Sequence, residues 1–242
     1  ASDVYKRQVL QTEVHPYDQK KELKEFLLSA GASDVGFAEI DDGDFGSCRW
    51  GVSVVVKLSD GIIDEIDGAP THTYFSHYRA VNALIDSLLL RAGMFLEKRG
   101  YKYITVAASQ SINKDGWNYC GRYSHKKLAY LSGLGTVGKN SLFLHKEYGA
   151  RVRLGSLFTD CPLEREVPIS GNICIGCNFC ADACPSGAIK GKEWYPGIDR
   201  SEIFDPEKCS TFMKKEFKMI GRGAVCGICM KVCPAGKLKN NQ

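Results

Sequence analysis

The stretch CIGCNFCADACP, residues 174–185, sets four cysteines at the spacing C-x2-C-x2-C-x3-C and ends on Pro185. Few folds accept that much thiol in so short a segment. A second group, CGICMKVCP, carries Cys226, Cys229 and Cys233 before Pro234, and Cys209 stands alone between the two. Eight of the eleven cysteines thus lie between residues 174 and 233, while Cys48, Cys120 and Cys161 are scattered upstream. Small secreted disulfide domains spread their cysteines along the whole chain, which this sequence does not do. Zinc sites usually pair two C-x2-C arms, and a third cysteine two residues on, followed by C-x3-C-P, is foreign to them. The spacing points to iron-sulfur ligation.

A loop curling over a cubane can supply three thiolates from C-x2-C-x2-C, and the fourth must come from elsewhere. In the two-cluster arrangement the cysteine before the proline ligates the other cluster. That crossing assigns Cys174, Cys177, Cys180 and Cys233 to one [4Fe-4S] cluster, and Cys184, Cys209, Cys226 and Cys229 to the second. The second set departs from the plain pattern, because Cys209 precedes Cys226 by 17 residues within the insertion IDRSEIFDPEKCSTFMKKEF. Pro185 and Pro234 are expected to turn the chain out of a helix that the last cysteine begins.

The clusters change how the charge is read. The formal balance is +4, from 32 basic and 28 acidic residues. Each four-thiolate cluster carries roughly two negative charges when oxidised. The loaded protein is therefore near neutral, which weakens any argument for a nucleic-acid footprint. No run of about 18 apolar residues and no basic-then-apolar leader is present, so the chain reads as soluble and cytoplasmic, with no membrane partner. The opening ASDVYKRQ has neither an initiator Met nor a period, and residues 1–8 are set aside as disordered or artefactual.

The 242 residues, 44% of them hydrophobic, suffice for one medium domain and a small appendage. DQKKELKEFLLSAGA predicts a helix capped by Asp18, with Leu23, Phe26 and Leu27 inward and Gly31 at its end. SDVGFAEI and VSVVVKL read as strands. A long helix is expected from Tyr74 to Arg99, with Val81, Leu84, Ile85, Leu88, Leu89, Phe95 and Leu96 on its apolar side. The strand YKYITVAA, the short helix SHKKLAYLSG, and the strands NSLFLH and ARVRLGSLFTD follow. This is an α+β layer over residues 9–169, with a ferredoxin-like double-cluster domain over 170–242. GLGTVG, Gly133 to Gly138, fits G-x-G-x-x-G, but a helix precedes it and a strand follows, the reverse of a dinucleotide fingerprint. A tight turn beside a large planar cofactor is the reading preferred here.

LAYLSGLGTVGKNSLFLHKEYGARVRLGSLFTDCPLE, followed by the eight-cysteine module, resembles the epoxyqueuosine reductase family and, more distantly, the reductive dehalogenases. The resemblance covers most of residues 20–236. It implies a flavin-reductase or nitroreductase-like N-terminal domain holding base-off cobalamin beside two [4Fe-4S] clusters, with electrons passing from the clusters to cobalt. It also carries Gly133, Gly135, Gly138, Lys139, Asn140 and Tyr78 over as corrinoid contacts. The family's proton donor is an Asp in a DSAP-like motif that this chain lacks. Counting back from Gly133 puts Tyr119 at that position, and reductive dehalogenases use a Tyr, whose anion Arg122 or Lys126 could stabilise here. His125, on a helix beside two lysines, reads as a solvated face, and Cys48, Cys120 and Cys161 read as packing.

Family members acting on tRNA carry a further C-terminal helical-repeat domain, and this chain ends nine residues past Cys233. A small-molecule substrate is therefore expected ahead of tRNA. A ferredoxin or flavodoxin is the expected low-potential electron donor. The resulting expectation is a cobalamin-dependent reductase. A reductive activator of a corrinoid protein and a corrinoid-free electron carrier are its alternatives.

Overall fold

The computed structural model describes residues 16–112 and 119–235. Helix α1 (Pro16–Ser29) leads into β1 (Asp34–Glu39) and β2 (Trp50–Lys57), followed by the short α2 (Asp60–Asp64) and the long α3 (His72–Glu97). Strand β3 (Tyr103–Val106) and α4 (His125–Leu131) precede a hairpin of β4 (Gly135–Val137) and β5 (Phe143–His145), and β6 (Val152–Thr159) closes the sheet. Among its described residues the cysteine-rich part has four short α-helices, α5 (Phe179–Asp182), α6 (Arg200–Ile203), α7 (Pro206–Glu216) and α8 (Ile228–Lys231), and one 3-10 turn at Gly221–Gly223.

The main sheet has the order β1-β2-β6-β3, every pair antiparallel. The β-branched run of β2 is buried on both faces, as a central strand covered by two helical layers must be. Alternation along β6 decides which layer each residue meets. Gly155 faces Ile85 and Leu89 of α3, while Gly51, opposite Phe158, faces Leu128 of α4. Helix α1 joins α3 on its side of the sheet through the stacked rings of Phe26 and Phe95, 5.6 Å apart.

Local signals shifted two boundaries. Helix α1 starts at Pro16, so Asp18 sits in its first turn, where a carboxylate favours the helix dipole, and is not the cap. Helix α3 starts two residues before Tyr74, because Thr71 caps it by accepting from the Tyr74 backbone N–H at 3.0 Å. The cysteines before Pro185 and Pro234 also differ from expectation. Cys184 and Cys233 follow α5 and α8, whose last residues are Asp182 and Lys231, and do not begin a helix.

One apolar core runs through both halves of the chain. Leu23, Leu27, Val54, Ile85 and Leu88 share it with Val225, Ile228, Met230 and Ala235 of the cysteine-rich part. Cys174, Cys226 and Cys233 pack against its edge.

Gly133 and Gly135 of GLGTVG are each set by nearby backbone. A Cβ on Gly133, whose φ is +66°, would lie 2.5 Å from the Val167 carbonyl oxygen. On Gly135 it would run into the Leu144 carbonyl across the β4–β5 hairpin. We therefore expect Gly135→Ala to lower stability by about 1–3 kcal/mol. Gly61→Ala, in open space within α2, should be neutral or slightly stabilising. Thermal melts of the two variants check this, and equal melting temperatures would contradict it.

Candidate functional site

All eight clustered cysteines are free of disulfides. Among the described residues no set of three His, Cys, Asp or Glu could hold a single metal ion. The thiols nonetheless gather in two groups. The Cys180 thiol is pushed up to about 11 by burial and by the neighbouring Cys233, Cys174 and Cys177. Burial, then Cys226 and Cys184, push Cys209 up to about 11. Cys229 is raised further by burial and by Cys226, Cys209, Cys184 and Cys180. Cys184 runs the other way. Burial would raise it, but a hydrogen bond with Ser186 and the backbone N–H groups of Ala188, Ser186 and Ile189 outweigh that and lower it. Buried thiols crowding one another ionise only when a cation joins them, and iron in a cubane is such a partner, so the donor set fits the group.

Cys174, Cys177, Cys180 and Cys233 line one cavity together with Gly138, Lys139, Asn140 and Leu144. The loop bearing the first cysteines is tied to β4. Thr136 Oγ1 donates to Asn172 Oδ1 at 3.0 Å and accepts from the Ile173 N–H at 3.1 Å, and Asn172 Oδ1 also accepts from the Cys174 N–H. Lys139 Nζ, almost wholly buried, donates to the Gly176 carbonyl at 2.8 Å and to Asn178 Oδ1 at 3.1 Å. Asn140 Nδ2 donates to the Cys229 carbonyl at 3.4 Å. Lys139 and Asn140, two of the residues that the family resemblance assigns to a corrinoid, thus grip the cysteine loops. Gly133 and Gly135 stand apart, packed against backbone.

A cleft of about 630 Å³ opens beside this cavity, within the usual range of small-molecule sites. Its walls come from α4, β6, the segments 108–110 and 120–124, and Ser141, Leu142 and Phe143. Arg200 and Met230 of the cysteine-rich part complete it. Loop 138–143 therefore has one end on the cysteine cavity and the other on the cleft. The loop is tight. Ser141 has φ +58°, its N–H donates to the Gly138 carbonyl, and the Leu142 N–H donates to Asn140 Oδ1.

Lys126 fixes this loop from below, donating to the Ser141 carbonyl at 2.6 Å and to its Oγ at 2.9 Å. Burial, and then the Arg200 guanidinium, lower the Lys126 ammonium to about 8. His125 is not the solvated residue the sequence suggests. Its Nε2–H donates to the Ala107 carbonyl at 3.0 Å, so Nδ1 is free to accept from Ser156 Oγ at 2.7 Å. Burial, outweighing the Ala107 bond, depresses it to about 4. The folded protein then binds fewer protons than the unfolded chain between about pH 6.5 and 4, so this stability is complete above 6.5 and is lost as pH falls. We expect roughly 2–3 kcal/mol of acid sensitivity in that window, absent from His125→Gln. Urea melts of both proteins at pH 7 and pH 5 check it, and parallel curves would contradict it.

Tyr78 hydrogen-bonds Ser109 Oγ at 3.1 Å and accepts from Arg153 at 3.3 Å, with that guanidinium 4.4 Å from its ring centre. Burial would raise this phenol, but Arg153 and the hydrogen bonds with Ser109 and Asn82 together outweigh it and hold the phenol below its ordinary value. Tyr119 has φ +62° and its carbonyl accepts from Arg200 at 2.9 Å, but it is not among the residues lining the cleft. Cys120 does line the cleft and accepts from Arg200 through Sγ, so it is a wall residue and not core, whereas Cys48 and Cys161 are buried as expected. Sequence patterns gave no sign of Arg153 or Arg200, each of which reaches the cleft through tertiary contacts.

Residues 173–236 match the family described as a 4Fe-4S double cluster binding domain. Two iron-sulfur clusters are the natural content of such a domain. Epoxyqueuosine reductase of Listeria monocytogenes is 32% identical over 117 residues, covering 47% of this chain and 30% of that protein. The Bacillus subtilis epoxyqueuosine reductase is 33% identical over 129 residues, covering 50% and 31%. The chain is similar to the epoxyqueuosine reductases over about half of its residues. It matches only about a third of their length.

Solved structures agree on the fold. A catabolic reductive dehalogenase in complex with 3-bromo-4-hydroxybenzoic acid superposes with a TM-score of 0.72 at 20% identity, covering 91% of this chain and 32% of that one. Another reductive dehalogenase structure, which suggests a mechanism for B12-dependent dehalogenation, gives 0.70 at 20% identity, covering 90% and 32%. An epoxyqueuosine reductase bearing an epoxyqueuosine-modified tRNA stem loop gives 0.63 at 21% identity, covering 92% and 66%. The curated relatives and the neighbours in fold are thus reductases and reductive dehalogenases. No described helix is long and apolar enough to cross a membrane.

Proposed function

We propose that this protein is a cobalamin-dependent reductase, with its substrate in the cleft beside the first cluster. The observation that carries the reading is loop 138–143, which touches the cysteine cavity at Gly138–Asn140 and the cleft at Ser141–Phe143. In this reading the sheet and its helices form a flavin-reductase or nitroreductase-like domain over residues 9–169, and residues 170–242 form the cluster domain.

Cys174, Cys177, Cys180 and Cys233 hold the first cluster, and Cys184, Cys209, Cys226 and Cys229 the second. A low-potential ferredoxin or flavodoxin supplies electrons in a cytoplasmic setting. Cobalamin, when bound, supplies a cobalt centre that delivers those electrons to the substrate. The chain's own residues do the rest. Leu142, Val152 and Met230 exclude water from one side of the cleft, and Lys126 fixes the loop between the two sites. Tyr119, whose carbonyl Arg200 holds although its side chain does not line the cleft, is the proton donor in this reading once its ring turns toward the substrate, with Lys126 or Arg122 stabilising its anion. tRNA, the substrate seen on one related structure, belongs in the substrate screen beside small molecules.

Anaerobic titration of the iron-loaded protein with cobalamin tests the proposal. Saturable binding with a shift to the base-off spectrum is expected. Absence of binding at micromolar cobalamin, with both clusters in place, would remove the corrinoid and leave an electron carrier.

A further inference from the structure

We propose that the cleft takes a small organic anion, a carboxylate or a phosphate monoester, and holds its charged end between Lys126, Arg153 and Arg200. The inference rests on the proposed function only in taking this cleft as the substrate site, and it does not require cobalamin.

Arg122, Lys126, Arg153 and Arg200 all line the cleft, and no Asp or Glu does among the described residues. None of the four forms an ion pair with a carboxylate among those residues. Elsewhere the protein treats a buried cation differently, since Arg151 is clamped between Asp60 at 2.8 Å and Asp64 at 2.7 Å. Asp86 behind the wall accepts from the Ala108 N–H, and Asp199, exposed beside Arg200, acts on it without an ion-pair contact.

The cleft cations are instead held in place by neutral acceptors. Arg153 donates to Asn82 Oδ1 at 2.9 Å, to the Ala108 carbonyl at 3.0 Å and to Tyr78 Oη at 3.3 Å. Arg200 donates to the Tyr119 carbonyl and Cys120 Sγ, and Lys126 to Ser141. Such contacts fix position without cancelling charge. Cations gathered in a half-buried cleft repel one another, as Arg200 does Lys126, and an entering oxyanion relieves both the repulsion and the desolvation. Leu142, Val152 and Met230 offer an apolar seat for the rest of the molecule.

Two other sources of negative charge compete with a substrate. One is the clusters themselves, and the other is the phosphodiester within cobalamin. Calorimetric titration of the iron-loaded protein with benzoate, phenyl phosphate and the neutral benzamide separates them. We expect at least one of the two anions to bind saturably and about tenfold or more tighter than benzamide, with Arg153→Gln and Arg200→Gln each costing about tenfold. Arg200→Lys, which keeps the charge, should recover part of the loss even if Arg200→Gln folds poorly. Benzamide binding as well as both anions would overturn the proposal. So would shifted cluster potentials in the Gln variants with anion affinity unchanged, which would assign the cations to the clusters. Displacement of benzoate by cobalamin one for one would also overturn it, by making the corrinoid phosphodiester the anion recognised. Failure of cobalamin to bind, with benzoate still bound, would sink the corrinoid reading and leave this one standing.

Discussion

Stripping iron from the loaded protein with a chelator is expected to destabilise the whole molecule and not only residues 170–235. The reason is the shared core. Val225, Ile228 and Met230 are buried with Leu23, Leu27, Ile85 and Leu88, and their places depend on loops that the thiols hold around metal. Large apolar side chains of this kind contribute roughly 1.5–3 kcal/mol each when buried. Losing the order of three of them removes several kcal/mol, which for a chain of this size corresponds to roughly 10 °C or more in Tm. Circular dichroism melts before and after chelation read this directly. A main transition unmoved by chelation, with only the cysteine-rich part lost, would show that the sheet and its helices stand alone.

Cys209→Ala should halve the metal. Cys209 lies on α7, and its raised thiol already registers Cys226 and Cys184 as neighbours after burial itself. If it is the fourth ligand of the second cluster, its removal should lower iron from about eight to about four per chain and leave the first cluster's spectrum intact. The matching variant Cys177→Ala should lose the other four. Iron staying near eight in Cys209→Ala would break the crossed assignment. Iron falling to zero in both would show that neither cluster assembles without the other.

The cysteine module was legible because cluster ligation is a local code of residue type and spacing. The strands β1, β2 and β6 and the helix α3 were legible for a similar reason, since β-branched runs and a 3.6-residue apolar period are written in consecutive residues. The cleft was not. His125 and Lys126 sit in a run that looks solvated, SHKKLAY, and only the arrival of Ser156 from β6 and Ser141 from the hairpin loop buries them. The backbone demands on the glycine motif were not legible either. Gly133 and Gly135 carry a ligand-like spacing, yet each is needed because a carbonyl of Val167 or Leu144 occupies the space of a side chain.

Loop 138–143 makes the two sites mechanically dependent on each other. Asn140 holds the Cys229 carbonyl, while its neighbour Ser141, at φ +58°, is held by Lys126 inside the cleft. Whatever enters the cleft and draws on the Lys126 ammonium alters the grip on Ser141, and one peptide further on that grip becomes the seat of a cysteine loop. Occupancy of the cleft would then be legible in the electronic spectrum of a cluster that the ligand never touches.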